Sequence, residues 1–355
     1  MNNHSLVNWH PAEITGDVWA HGFSRWKRAA VRISFPKARV HFVDRWPELH
    51  HGATVAVWGL ADLPYAAQTD AWQVIRIEDG FLRSVGLGAD LIRPVSWVFD
   101  PAGIYYDPRT PSRLEAILQA GIEDPELRQR ASRLQETILS SGLTKYNVGS
   151  GDWHPPQGSG RIILVVGQVE SDASLAVGAG PISTNWDLLQ QVRTECEPGD
   201  YLIYKPHPDV VARLRAEGAD EHRADTLADE VIVDLDMSQL LPRVDEVHVM
   251  TSLAGFEALL RGRKVVCHGQ PFFSGWGLTD DRCPPPRRHR RLTLDELIAG
   301  TLIMYPVYFD WEKKVLTTPE TATQVLLAKK RRMGGKLPWW RRGMRVILRY
   351  VVGIR

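Results

Sequence analysis

The sequence predicts an α/β protein of two domains with parallel sheets, ending in a basic amphipathic helix. Three observations lead there. At 355 residues, with 44% hydrophobic and 24% charged residues, the chain has the length of two ordinary domains and the composition of a folded globular protein. Short apolar, β-like runs alternate with helical runs, most regularly in the second half, which is the pattern of βαβ units. Polar clusters follow three of these runs: Gly-Gln-Val-Glu-Ser-Asp at 167–172, Lys-Pro-His-Pro at 205–208 and Thr-Ser-Leu-Ala-Gly-Phe-Glu at 251–257. An open parallel sheet builds its ligand crevice from the carboxyl ends of its strands, so clusters placed there point to one shared site.

In the first half, strands are expected at 40–43, 54–58, 74–77 and 95–99. Helices are expected at 113–121 and 125–141, the second introduced by Asp124 followed by proline. The stretch 146–160 is rich in Gly, Pro and polar residues and is the best linker, which sets a first domain at 1–150. The second domain, 155–315, opens at 162–166, whose unbroken apolar character is that of a strand buried on both faces. Then follow a helix at 185–196, a strand at 201–204, a helix at 209–217, a strand at 231–233 and a short helix at 237–241. A strand at 246–250, a helix at 252–261 and a strand at 264–268 complete the alternation. Helices at 292–302 and 319–331 come after the sheet, and 316–355 forms a helical tail. Two such Rossmann-like domains facing a central cleft would be a GT-B-like architecture.

The three cysteines, Cys196, Cys267 and Cys283, show no Cys-x-x-Cys spacing. Their odd number argues against a disulfide framework and for a reducing, cytoplasmic setting. The N-terminus lacks the charged start and apolar stretch of a secretory signal, and no run of 18 apolar residues spans a bilayer. The net charge of +1 hides a polarity. Residues 329–355 hold ten Lys/Arg and no Asp/Glu, which leaves 33 basic against 42 acidic residues elsewhere. Arg341, Arg345 and Arg349 recur at helical spacing, with Trp340, Met344, Ile347 and Leu348 on other faces. Such a segment, 333–355, suits an anionic membrane surface, where each basic residue contributes roughly 1 kcal/mol; docking on its own protein is the other reading. The acidic body argues against nucleic acid as a partner.

Each candidate residue has a plain structural role to weigh against chemistry. Ser252, with Thr251, stands at the expected helix start, where it either caps the helix or donates to a phosphate beside the helix dipole. Glu257, further along, either accepts ribose hydroxyls or is a solvated helix residue. Lys205 and the proline-locked His207 supply a cation and an imidazole at a strand end, suited to a phosphate or to acid catalysis, unless His207 is simply buried in a turn. Gln168 and Asp172 follow the 162–166 strand, where Asp172 is either a helix cap or a nucleophile or base. In the first domain, Glu78 and Asp79 precede a glycine at a strand end, and Arg83 suits a substrate carboxylate. Asp234 and Asp236 resemble a metal-binding Asp-x-Asp, but capping explains them, and no metal is expected.

Together these clusters resemble the bacterial capsule polysaccharide biosynthesis family, and within it the KpsC-type retaining β-Kdo transferases. The resemblance rests on Glu78-Asp79-Gly80-Phe81-Leu82-Arg83-Ser84, Gln168-x-x-x-Asp172, Lys205-Pro206-His207-Pro208, Thr251-Ser252, Phe272-Phe273-Ser274-Gly275-Trp276-Gly277-Leu278-Thr279 and Leu294-Asp295-Glu296-Leu297, covering about residues 15–315 as a single module. It implies a GT-B fold, CMP-β-Kdo as donor substrate with no separate cofactor, and transfer with retention to a lipid-linked glycan acceptor. It implies Asp172 as nucleophile, His207 and Ser252 on the CMP phosphate, and Glu78 or Asp79 as base near the acceptor hydroxyl. Capsule assembly proteins are possible partners, and the implied place is the cytoplasmic face of the inner membrane. A related transferase using CMP-sialic acid or another nucleotide sugar, and a non-catalytic component of capsule assembly or export, are the rival readings.

Overall fold

The computed structural model describes residues 3–64, 71–84, 93–144 and 152–333. In chain order its strands are β1 (Gly16–His21), β2 (Ala38–Val43), β3 (Thr54–Trp58), β4 (Gln73–Asp79), β5 (Ser96–Asp100), β6 (Ile162–Val166), β7 (Tyr201–Lys205), β8 (Glu230–Val231), β9 (Glu246–Val249), β10 (Lys264–Cys267), β11 (Asp280–Asp281), β12 (Pro306–Asp310) and β13 (Val315–Thr317). They form two sheets in two compact units, as the α/β reading expects.

The first unit comprises Met1–Arg83, Pro94–Leu134 and Asp295–Gln324. Its sheet runs β13-β12-β5-β4-β3-β1-β2. The block β2-β1-β3-β4 is parallel, but β5, β12 and β13 pair antiparallel, so this sheet is mixed rather than purely parallel. β1 escaped the sequence reading because only Val18 and Ala20 of its six residues are buried, alternating with polar or half-buried neighbours. Val18, Phe35, Ile77, Trp97 and Phe309 are among the buried residues of the core beneath it.

The division differs from 1–150, 155–315 and 316–355. The segment after 295 returns to the first unit, because β12 supplies a strand beside β5. Polar contacts hold that return. The buried Asp100 accepts the hydroxyl of Tyr305 (2.8 Å) and the N–H groups of Ala102, Gly103 and Arg113. Burial nonetheless pushes the Asp100 carboxyl upward, and the hydrogen bonds oppose that shift. The Arg113 guanidinium donates to the carbonyls of Met304 and Tyr305. The first half of the expected linker, up to 151, and the basic segment 334–355 lie outside the described residues.

The second unit is centred on Gln135–Leu294. Its sheet, β11-β10-β9-β6-β7-β8, is parallel throughout. β6 reads Ile-Ile-Leu-Val-Val and every residue is buried, which a strand flanked on both edges and covered on both faces requires. The chain builds outward from β6 through β7 to β8, then crosses to β9 on the other side. The strand order therefore reverses between β6 and β9, and a doubly wound sheet opens its crevice at that point.

Several helices are shorter than expected. The helix expected at 209–217 is only Pro208–Val211, because Arg213 takes a left-handed φ of 55° and breaks it. The helix expected at 252–261 is Ala254–Leu259, with Leu253 rather than Ser252 at its N-cap position. The helix expected at 292–302 is Leu294–Ile298 followed by a π-turn at Ala299–Met304. Among the described residues no helix is long and apolar enough to cross a membrane.

Candidate functional site

β6 lies between β7 and β9, with Val166 opposite Lys205 and Val165 opposite His248. The segments that follow these strands leave the same edge of the sheet. That register brings 167–172, 205–208 and 250–252 together at the switch point.

Gln168 ties this edge together. Its Nε2 donates to Thr251 Oγ1 (2.8 Å) and to Ser174 Oγ (3.0 Å), and its Oε1 accepts from Thr251 N (3.3 Å). Asn185 clamps the Gln168 backbone, accepting its N–H and donating to its carbonyl, each at 2.8 Å. Asn185 also donates to Glu221, which accepts the hydroxyl of Tyr204 (2.6 Å) and the N–H of Gly218 (2.8 Å). These buried groups satisfy one another, so the loop after β6 has little freedom to reorganise.

Asp172 is exposed on this scaffold and caps the helix Ala173–Gly178, accepting from Ser174 N at 3.2 Å. His207 caps its own single turn, its Nδ1 accepting from Asp209 N at 3.1 Å. An imidazole that accepts at Nδ1 carries its proton on Nε2 when neutral, so that nitrogen is a donor. Ser252 Oγ accepts from Ala254 N at 3.3 Å, and its hydroxyl proton remains a donor. Lys205 is 8% exposed, and burial pulls its ammonium down to about 8 against the opposing charges of Asp236 and Asp234. Asp236 caps the helix Met237–Leu240. Glu257 is buried rather than solvated, and its charge opposes the lowering that burial imposes on Arg261. Beside this edge, a cavity of about 520 Å³ is lined by Tyr204, Pro206, Val210, Arg213, Glu217 and His222 among others.

The remaining expected residues lie in the first unit, at the carboxyl end of β4. Asp79 accepts from Arg83 Nε at 2.6 Å, and Arg83 is 4% exposed. The guanidinium expected to meet a substrate carboxylate is thus held by a carboxylate of its own chain. Glu78 Oε1 accepts the N–H of Asp79 at 2.9 Å. Two glycines make room here. A Cβ on Gly59, whose φ is +53°, would lie 3.0 Å from Tyr106 OH and 3.2 Å from Glu78 Oε2, and one on Gly80 would run into Ser96.

Sequence reasoning passed over Ser174, Asn185 and Glu221, ordinary polar residues whose role exists only through their partners. It also passed over a buried row in which His248 contacts Glu246 (2.9 Å) and His268 (3.0 Å). Its signal was present, because Glu-Val-His-Val places two polar side chains on one face of an otherwise apolar strand. Hydrogen bonds from His248 and Lys264 hold Glu246 down at about 2, and burial, reinforced by His248, pulls His268 down to about 4.

The chain is similar to several known proteins. A model of capsule polysaccharide biosynthesis proteins matches residues 60–147 and 155–308. The chain is 44% identical over 328 residues to the capsule polysaccharide modification protein LipA of Neisseria meningitidis serogroup B, covering 90% of this chain and 46% of that protein. It is 42% identical over 301 residues to the lipopolysaccharide-processing protein LpsZ of Rhizobium meliloti, covering 82% and 67%. The chain therefore spans about half the length of the LipA proteins it matches. Among solved structures, KpsC β-Kdo 2,7 transferase of Thermosulfurimonas dismutans aligns with a TM-score of 0.72 and 36% identity, over 88% of this chain and 99% of that one. The β-Kdo 2,4 transferase of the same organism aligns with a TM-score of 0.73 and 32% identity, over 87% and 97%. With its two sheets, its switch-point cluster and these matches, the chain belongs to the family of capsule polysaccharide biosynthesis proteins.

Proposed function

We propose that the chain is a glycosyltransferase of capsule or other surface polysaccharide synthesis. It moves Kdo from CMP-β-Kdo to a Kdo-containing glycolipid or glycan acceptor with retention at the anomeric carbon. The observation that carries this reading is the Gln168–Thr251–Ser174 knot at the switch point, with Asp172 exposed upon it, Lys205 at the end of the neighbouring strand and His207 just beyond it. The similarity to solved β-Kdo transferases supplies the sugar.

Net retention is reached by two successive inversions. In the first, the Asp172 carboxylate attacks the anomeric carbon of Kdo while the bond to the phosphate oxygen breaks, and CMP leaves with the electron pair. Lys205, the Nε2–H of His207 and the Ser252 hydroxyl stabilise the charge that grows on the departing phosphate. In the second inversion an acceptor hydroxyl attacks the same carbon and displaces the Asp172 carboxylate, its proton passing to a base. In this reading that base is Glu78 or Asp79. The basic segment 333–355 keeps the enzyme on an anionic membrane surface at the cytoplasmic face, where a lipid-linked acceptor is presented.

The test is incubation with CMP-Kdo and a synthetic Kdo-terminated lipid, with the product linkage read by NMR. CMP-Neu5Ac and UDP-sugars serve as competing donors. Asp172→Asn preserves a cap-competent side chain, so it is expected to keep the fold and CMP binding while transfer falls by orders of magnitude. Near-normal turnover in this variant removes Asp172 as nucleophile. Failure to bind any nucleotide supports a non-catalytic role.

A further inference from the structure

The first unit has a switch point of its own. From β1 the chain steps outward to β2, then crosses to the other side of β1 for β3 and β4, all parallel. The strand order therefore reverses between β1 and β3, and a sheet of this kind opens a crevice at the carboxyl ends of those two strands. Lys27 lies in the segment that leaves β1, and Trp58 is the last residue of β3. They meet there, with Lys27 Nζ 2.9 Å from the centroid of the Trp58 ring. Phe23 and Trp97 meet the same ring nearly at right angles, at 6.2 and 5.1 Å, and fix its plane. Among the described residues the Lys27 ammonium has no hydrogen bond or ion pair.

We propose that Lys27, with Trp26 beside it, forms a subsite for the carboxylate of the acidic sugar that ends the acceptor. The choice of sugar rests on the transferase reading above. An ammonium set against a ring face keeps its N–H donors for an anion, and one half withdrawn from water gains by meeting it. Burial pulls Lys27 down to about 8, with Asp79 and Glu78 opposing, so it carries its charge at neutral pH. Asp79 does not neutralise it, because that carboxylate is held by Arg83 at 2.6 Å. The role that the residue pattern suggested for Arg83, meeting a substrate carboxylate, thus passes to Lys27. Trp26 is half-buried, and its ring lies 5.5 Å from the same ammonium. Arg25, exposed, adds a further positive charge to this segment. A sugar acid needs this pairing of ring and cation: its C–H face stacks on an indole while its carboxylate meets an ammonium.

The test is calorimetric titration of the methyl glycoside of Kdo, and of its C1 amide, into protein saturated with CMP. The amide keeps the ring and hydroxyls and loses the charge. Wild type is expected to bind the acid about tenfold more tightly than the amide. Lys27→Met should abolish that preference by weakening the acid alone, and Lys27→Arg should keep most of it. Equal affinity of wild type for acid and amide overturns the inference. So does a Lys27→Met variant that still prefers the acid, or one that weakens both probes alike. In turnover with CMP-Kdo and a Kdo-terminated lipid, Lys27→Met should raise KM for the acceptor about tenfold and leave KM for CMP-Kdo unchanged. A protein that discriminates the probes through Lys27 yet transfers no sugar keeps the subsite and refutes the transferase reading. One that transfers Kdo without discriminating them refutes the subsite alone.

Discussion

Lys205 carries the sharpest test of how this fold trades stability for binding. It ends a buried strand, is 8% exposed, and has its ammonium drawn from 10.5 to about 8. At about 1.4 kcal/mol per pH unit, charging it in the folded state at pH 7 costs about 3 kcal/mol. The sign follows from proton counting. Between about 8 and 10.5 the unfolded chain binds a proton at this position that the folded chain does not, so stability rises with pH across that window. The penalty is fully present below 8. Lys205→Met removes the charge and keeps an apolar stem of similar length. Asp236, buried nearby, loses a countercharge, so the net gain at pH 7 is expected to be about 1–2 kcal/mol. Urea unfolding of the ligand-free protein at pH 7, 8.5 and 10 measures it, and the advantage of the variant should shrink toward the highest pH. CMP binding, followed by calorimetry, should weaken about 10- to 100-fold with loss of a charge-assisted contact. A variant less stable than wild type at pH 7, with no pH trend in the difference, would refute the reasoning. It would mean that Asp234 and Asp236 already compensate the ammonium in full.

Two further outcomes follow from the same kind of argument. His268 is buried and drawn from 6.5 to about 4, so the unfolded chain takes up a proton in that interval that the folded chain refuses. Wild-type stability should fall by up to about 3 kcal/mol as pH drops from 6.5 to 4, and His268→Gln should flatten that slope in urea titrations; an unchanged slope assigns the acid sensitivity elsewhere. Deleting 333–355 should abolish sedimentation with anionic vesicles at low salt and leave binding to neutral vesicles as weak as before; undiminished binding to anionic vesicles removes the membrane role.

Much of the second unit was legible beforehand. β6 is an unbroken apolar run, the pattern of a strand buried on both faces of a parallel sheet. The Lys-Pro-His-Pro cluster marked a strand end because two prolines cannot continue the ladder. The helix after it was overestimated because arginine gives no signal of the left-handed turn that Arg213 makes. β1 was missed because a strand with two buried side chains carries almost no periodic signal.

Read as a string of residues, the chain already contained its strand–helix alternation, the order of its polar clusters and the uneven placement of its charge, since these depend only on neighbours in sequence. Three things needed the folded chain. The return of β12 to the first sheet comes from the pairing of residues some 200 positions apart. Gln168 links to Thr251 across 83 positions, and Arg83 is held by Asp79. A hydrogen bond is specified by where two atoms meet, and folding brings together side chains whose separation along the chain says nothing about their distance in space.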